Sequence, residues 1–249
     1  MKLIFDLNSY VKNKGLIDDF EQIYNAGFPD VNEREDLSVI IKRVTNKKKE
    51  LEPYTIILIS SIDSVVVGGL IADWYDKSKS IHLTYLIIDE KFRKQGLGKE
   101  LIIKGIKLIK DSIRKEGGIE IKNVFFESNN PEQTKRENDS FDPYTRLKIF
   151  SSLGAKWIDI PYVQPALDIK KKSVDNLMLL SFSQFNNNIN TIPVNDIMAF
   201  LEDLYAGLGV KDLIHNKDLQ NIKSKLKRSK DDFGNIELKK ISYGRKSDL

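Results

Sequence analysis

Cysteine is absent from all 249 residues. That excludes disulfides, thiolate metal sites and a cysteine acyl-enzyme, and it suits a reducing cytoplasm, the expected compartment. Histidine is nearly absent. His82 and His215 stand far apart, and a zinc or iron site built on them would need carboxylate partners at no recognisable spacing. Both are read as satisfied or surface histidines, and no metal is expected. No run approaches the roughly 20 apolar residues of a membrane span, so no membrane contact is expected. The opening MKLIFDLNSYVKNKGLIDDF has a short apolar run and no small-residue cleavage site, so a signal peptide is not expected either. Charge of one sign is scarce as well: 40 Lys and Arg against 36 Asp and Glu leave +4. That excess suits an anionic small ligand or plain solubility and is too weak to indicate nucleic acid.

What is present is enough for a core: 41% hydrophobic and 31% charged residues, in one large domain or one domain with an appendage. Leu16, Phe20, Ile23 and Tyr24 recur at helical spacing before Gly27 and Pro29, and NEREDLSVIIKRV reads as a second amphipathic helix. YTIILIS, SIDS and VVVGGLIADWY predict a hairpin of Tyr54–Ser60 and Val65–Tyr75, and His82–Ile88 extends it to an antiparallel meander. Ile102, Ile106, Ile109 and Ile113 mark a helix with one buried stripe, stopped by Gly117-Gly118. The following strand, Ile121–Glu127, should lie parallel to His82–Ile88. Pro143 opens a helix to Leu153, Gly154 caps it, AKWIDIPYV is a strand and NLMLLSF its antiparallel partner. Beyond Phe182, SQFNNNINTIP reads as a linker, then two helical stretches, Val194–Gly207 and about Leu219–Lys227. Residues 1–185 are expected as one domain and 186–249 as linker and helical appendage.

The junction IIDEKFRKQGLGKEL raises the functional question, because a strand passes through Gly96-Leu97-Gly98 straight into a helix. A P-loop is excluded: Glu100 follows Lys99, and no glycine precedes Gly96 at the required distance. A dinucleotide fingerprint needs a third glycine where Leu101 stands. The pattern that remains, Arg/Gln-x-x-Gly-x-Gly/Ala, is met by Arg93-Lys94-Gln95-Gly96-Leu97-Gly98. Here the chain resembles the GNAT superfamily of acyl-CoA-dependent N-acyltransferases. LTYLIIDEKFRKQGLGKELI is similar to that family's acetyl-CoA signature, and the resemblance runs from about Phe20 to Phe182. It implies an α/β (α+β) fold: a mixed, mostly antiparallel central sheet flanked by helices, with a splayed parallel strand pair that binds CoA. The helical extension would follow it. The N–H groups of Lys94, Gln95, Gly96, Leu97, Gly98 and Lys99 can form an anion nest at a helix N-terminus. Lys91, Arg93, Lys94 and Lys99 surround it with positive charge. The pyrophosphate of acetyl-CoA, as co-substrate, is the anion this implies; the plain alternative is a turn that only joins strand to helix. The resemblance also implies a bulge near Leu86, Ile87 and Ile88, where backbone would pair with the pantetheine arm and stabilise an oxyanion.

Aminolysis of a thioester needs a base, an oxyanion donor and a source of a proton for the thiolate. Glu127, at the strand end FFES, is the candidate base, against a solvated strand-end carboxylate. The family often places a tyrosine four residues before the glycine of its Leu-Gly corner, and Phe150 stands there. Tyr144 and Tyr162 are the substitute proton donors. IYNAGFPDVNERE and YVQPAL also resemble a GNAT subgroup and make Phe28, Glu33, Arg34, Tyr162 and Gln164 acceptor-side candidates, each with a plain structural explanation. Trp74 and Tyr75 line the acceptor site or cover the sheet. The basic stretch KSKLKRSK (Lys223–Lys230) reads as a solvated helix face. The expectation is an N-acetyltransferase moving an acetyl group to a primary amine, small-molecule or peptide, by direct attack in a ternary complex. The alternatives are a catalytically weak acyl-CoA-binding module and an interaction role for the C-terminal helices; a monomer or homodimer is expected.

Overall fold

Alternation along buried strands decides which helix covers which face of the sheet. The structure, a computed structural model, describes residues 2–6, 14–45, 53–134, 139–185 and 190–241. Its elements run β1 (Lys2–Asp6), α1 (Lys14–Gly27), α2 (Leu37–Thr45), β2 (Tyr54–Ile62), β3 (Val65–Tyr75), β4 (Ser80–Ile88) and α3 (Leu97–Gly117). Then follow β5 (Asn123–Asn129), α4 (Pro143–Ser152), β6 (Ala155–Trp157), β7 (Leu177–Phe182), β8 (Thr191–Pro193), α5 (Val194–Gly207), α6 (Lys217–Ser229), β9 (Asn235–Glu237) and β10 (Lys239–Lys240). One sheet has the order β1-β2-β3-β4-β5-β7-β6-β10, and β8 pairs with β9 separately. All pairs in the large sheet are antiparallel except β4 with β5.

In β2, Ile56 and Leu58 pack on one face beneath α3 and α4, while Ile57 and Ile59 pack on the other beneath α1 and α2. The isoleucine stripe of α3 sits in the first of these layers. α4 begins as its sequence dictates, with Asp142 accepting from the Thr145 N–H at 2.9 Å and Pro143 in the first turn. α2 starts later than expected, at Leu37, because Asp30 takes the Asn32 N–H at 2.8 Å and folds the acidic stretch into a turn. β6 stops at Trp157, so most of AKWIDIPYV is extended chain outside the ladder.

The residues expected as an appendage pack against the large sheet, in an apolar layer with Tyr75, Phe125 and Leu179. Phe200 of α5 stacks on Phe125 of β5 at 4.3 Å, and β10 extends the large sheet beside β6. Asp203 accepts from the Ser78 N–H at 2.9 Å, and Tyr205 donates to the Val163 carbonyl at 2.6 Å. Of the expected linker, residues 186–189 lie outside the described residues, and Thr191–Pro193 forms β8. No described helix is long and apolar enough to cross a membrane. Because Phe200 is fully buried among Phe125, Tyr75 and His82, Phe200→Ala should destabilise the whole chain by about 3–5 kcal/mol. Urea denaturation should show one shifted transition, not separate loss of the C-terminal helices.

Candidate active site

One extra residue in β4 creates the site. Tyr85 pairs with Ile71 and Leu83 with Ala72, so Thr84 is a bulge. Parallel pairing with β5 covers only Ser80–Leu83 against Asn123–Phe126 and then ends. The strands therefore part alongside Thr84–Ile88, beginning ahead of the position expected near Leu86–Ile88. The bulge also changes which face each side chain takes. Ile81 and Leu83 point under α3, as do Leu86 and Ile88, whereas His82, Tyr85 and Ile87 take the opposite face. The Asp89 N–H donates to Val67 of β3 at 2.9 Å. Alternation then turns the backbone groups of Leu86 and Ile88 away from β3, toward the gap. The Ile88 carbonyl already accepts from Arg93 Nε at 3.1 Å.

At the end of β4 the chain makes a short 3₁₀ turn, Glu90–Phe92, capped by Asp89. Lys94 and Gly96 then adopt left-handed conformations, φ 65° and 78°. Glu100 N–H closes the first helical bond on the Gly96 carbonyl at 3.1 Å. The N–H groups from Lys94 to Lys99 have no acceptor among the described residues. A Cβ at Gly96 would meet nothing within 4 Å, and one at Gly98 only Ile88 Cγ1 at 3.7 Å. The protein's own packing does not call for a bare backbone at Gly98; an anion lying on these amides does. Lys91, Lys94, Gln95 and Lys99 are exposed around the turn. Arg93 is used differently from the expectation. Its guanidinium also donates to the Ser140 carbonyl at 3.1 Å and lies 5.4 Å from the Phe141 ring, so it braces the turn rather than standing free for a phosphate.

On β5, Phe125, Glu127 and Asn129 share the face opposite α3. Glu127 sits one residue beyond the last pairing with β4. Its Oε2 lies 3.0 Å from His82 Nε2, and the Tyr162 hydroxyl donates to its Oε1. His82 is 2% exposed and its Nδ1 has no partner among the described residues. Burial acts to lower the His82 pKa, but the charge and hydrogen bond of Glu127 override it and the net direction is upward. Burial, then the Glu127 charge and hydrogen bond, hold the Tyr162 phenol well above its usual value. His82 is the residue that sequence reasoning missed. Its partner is 45 positions away, and only the register that sets His82 beside Phe125 brings them together.

A cavity opens from this triad, lined by Glu33, Glu35, Arg43, Asp73, Tyr75, Thr84, Tyr85 and Gln164, with Leu204, Gly207 and Leu208 of the α5 end as one wall. Arg43 binds Glu35 through two bonds of 2.5 and 2.8 Å, and Asp73 accepts from Thr55 at 2.6 Å. Burial first, then Asp30 and Asp139, raise the Glu33 carboxyl to about 7. Of the acceptor-side candidates, Glu33, Tyr75 and Gln164 reach the cavity. Phe28 instead packs on Tyr24 and Tyr85 at 5.5 and 5.1 Å. Arg34 donates to the carbonyls of Asn25 and Phe28, shaping the loop. Trp74 is a correction: it is buried under α3 on the opposite face, since alternation along β3 gives Asp73 and Tyr75 to the cavity. Phe150 packs against Phe126 and Phe182 on that same opposite face, and so belongs to the core.

Strands that part over a buried carboxylate, next to an open amide cradle, suit an acyltransferase that draws on a thioester of coenzyme A. Residues 17–131 match the model of the Acetyltransferase (GNAT) family. No curated protein sequence matches the chain. A GNAT-family protein from Bacteroides thetaiotaomicron superposes with a TM-score of 0.59 at 13% identity, over 85% of this chain and 100% of that one. An aminoglycoside 6'-N-acetyltransferase complexed with coenzyme A has a TM-score of 0.47 at 16% identity, over 73% of this chain and 97% of that one. The ribosomal-protein-S18-alanine N-acetyltransferase from Escherichia coli has 0.44 at 12%, over 73% and 92%. Residues 17–131 are thus similar to the GNAT acetyltransferase family, and the chain shares that fold with the Bacteroides thetaiotaomicron protein; both support acyl transfer from acetyl-CoA.

The raised Glu33 pKa has a consequence for stability. A carboxyl whose folded pKa lies above its unfolded value favours folding fully below the unfolded pKa, and this is lost as pH rises through about 7. Glu33→Gln, which mimics the protonated acid, should therefore raise the melting temperature at pH 8 and change it little at pH 5. Thermal denaturation at both pH values measures this.

Proposed function

We propose that the chain is an N-acetyltransferase that moves an acetyl group from acetyl-CoA directly to a primary amine, with Glu127 as the base. One observation carries this reading. Glu127 is held by His82 and Tyr162 at the point where β4 and β5 part. A module that only bound acyl-CoA would have no use for a carboxylate oriented in this way.

The amides from Lys94 to Lys99 hold the pyrophosphate, with Lys91, Lys94 and Lys99 as surrounding charge. The backbone groups of Leu86 and the N–H of Ile88 pair with the pantetheine arm in the gap. Bound acetyl-CoA supplies the thioester carbonyl, and an N–H from this edge meets the negative charge that gathers on its oxygen. Glu127 takes a proton from the incoming ammonium, so that a neutral amine attacks. His82, with its pKa raised by Glu127, holds the carboxylate in place from one side.

Tyr162 fits an orienting role better than the acid role suggested by the sequence. Its hydroxyl already donates to Glu127 Oε1, and burial and the Glu127 charge hold the phenol well above its usual value. Tyr162 instead fixes Glu127 through its hydrogen bond, and the thiolate leaves without a proton from it.

Titration calorimetry with acetyl-CoA and steady-state assays over a panel of amines test the reading. Glu127→Gln should lower kcat by about a hundredfold or more with acetyl-CoA affinity kept, the scale of a general base. Tyr162→Phe should lower it by only about tenfold, the scale of one hydrogen bond to a charged group. Gly98→Trp should melt like the parent and lose acetyl-CoA. Full turnover by Glu127→Gln would remove the carboxylate from the mechanism.

A further inference from the structure

The acceptor cavity has a charge surplus and an enclosure that together describe its ligand. Four carboxylates line it, Glu33, Glu35, Asp73 and Glu127, against Arg43 and His82, whose charged form Glu127 favours. Arg43 neutralises Glu35, and His82 sits on Glu127. Glu33 has no ion-pair partner among the described residues, although Asn129 lies beside it and Arg146 is committed to Asp139. A half-buried carboxylate left without a cation is costly unless a ligand brings one.

A second observation points the same way. Gln164 is 6% exposed, lines the cavity, and its Nε2 has no partner among the described residues. Rotation of the amide exchanges its oxygen and nitrogen, so this group can accept from an ammonium that enters.

The cavity is also closed to large partners. Leu204 of α5 and Leu208 just past its end form one wall. Gln164 is bridged to Val174, and the loop between them is tied to the α1–α2 loop, where Lys172 N–H donates to Asn32 at 3.1 Å and Lys171 Nζ to the Arg34 carbonyl. These contacts wall the cavity on the α1–α2 side.

We infer that the acceptor is a small diamine, one amine reacting beside Glu127 and the second, as ammonium, taken by Glu33 with the Gln164 amide in the same wall. Glu33 enters the cavity from the α1–α2 loop beside Asn129, which stands two residues beyond Glu127 on β5. The inference rests on the acetyltransferase reading above.

The test compares three amines of one length with the full chain: 1,4-diaminobutane, butylamine and 4-aminobutyrate. Release of CoA thiol gives kcat/KM, and acetyl-CoA binding is titrated separately. The diamine should exceed butylamine by roughly tenfold or more, the scale of one charged contact, and 4-aminobutyrate should fall below both. Glu33→Gln should erase most of the diamine's advantage, chiefly through KM. Gln164→Leu should reduce it, and it serves where Glu33→Gln does not fold. Butylamine equal to the diamine, an advantage that survives Glu33→Gln, or no turnover of any of the three with normal acetyl-CoA binding overturns the inference and leaves the acetyltransferase reading intact. Absence of acetyl-CoA binding by the folded parent overturns both.

Discussion

The structure depends on a single inserted residue. Thr84 breaks the β4 ladder, and from there β4 keeps β3 but no longer pairs with β5. A strand that leaves its partner exposes backbone groups that want hydrogen bonds, and the fold leaves those of Leu86 and Ile88 facing a gap. The same insertion shifts the alternation by one, so that His82 and Tyr85, three apart, face the same side. Were β4 regular through Thr84, Tyr85 would point under α3 with Leu83, and its hydroxyl would not meet the Glu35 N–H at 2.9 Å. The His82–Glu127 contact stands at the margin of the parting and joins β4 to β5 by side chains where backbone pairing stops.

That contact needs a dry setting, and the C-terminal helices supply it. Phe200 covers Phe125 and approaches the His82 ring at 5.6 Å. With water held off, the Glu127 carboxylate acts on His82 and Tyr162 through a lower local dielectric. The tail is thus joined to the chemistry through packing, as well as through its place in the cavity wall. The basic residues of α6 play no part in this: Leu219, Ile222 and Leu226 are buried, and Lys223 pairs with Glu202 at 2.6 Å.

Elements with a strong local pattern were legible in the sequence: the β2–β3–β4 meander, the isoleucine stripe of α3, Pro143 at a helix start and the glycine turn before α3. The nest was legible because its geometry is local, carried by Lys94, Gly96 and their neighbours. What depended on register was not. His82 is an ordinary strand residue until β4 lies parallel to β5 with His82 opposite Phe125. Trp74 and Tyr75 look alike at a strand end, and alternation sends one to the core and the other to the cavity. Arg93 looks like a phosphate ligand by composition, yet its partners, Ser140 and Phe141, come from the polar stretch before α4. Short strands such as β8, β9 and β10 carry too few residues for a periodic signal, and their pairing is set by the core beneath them.

The two ends of the gap carry opposite charge, and this orders the reactants before any contact is made. Exposed lysines surround the amide nest at the end of β4, while the cavity on the other side holds surplus carboxylates. An anionic co-substrate and the cationic acceptor proposed above would each be repelled from the other's place, a discrimination by unfavourable contact as much as by attraction. Screening limits such fields to about 8 Å in physiological salt at the surface but reaches less into a closed cavity. Recognition of the acceptor should therefore resist salt more than recognition of the nucleotide end. The same carboxylates that attract an ammonium also hold it protonated, which opposes attack. In the proposed reaction the tasks are separate: Glu127, oriented by His82 and Tyr162, serves the amine that must lose its proton, and Glu33, beside Asn129, the charge that must stay.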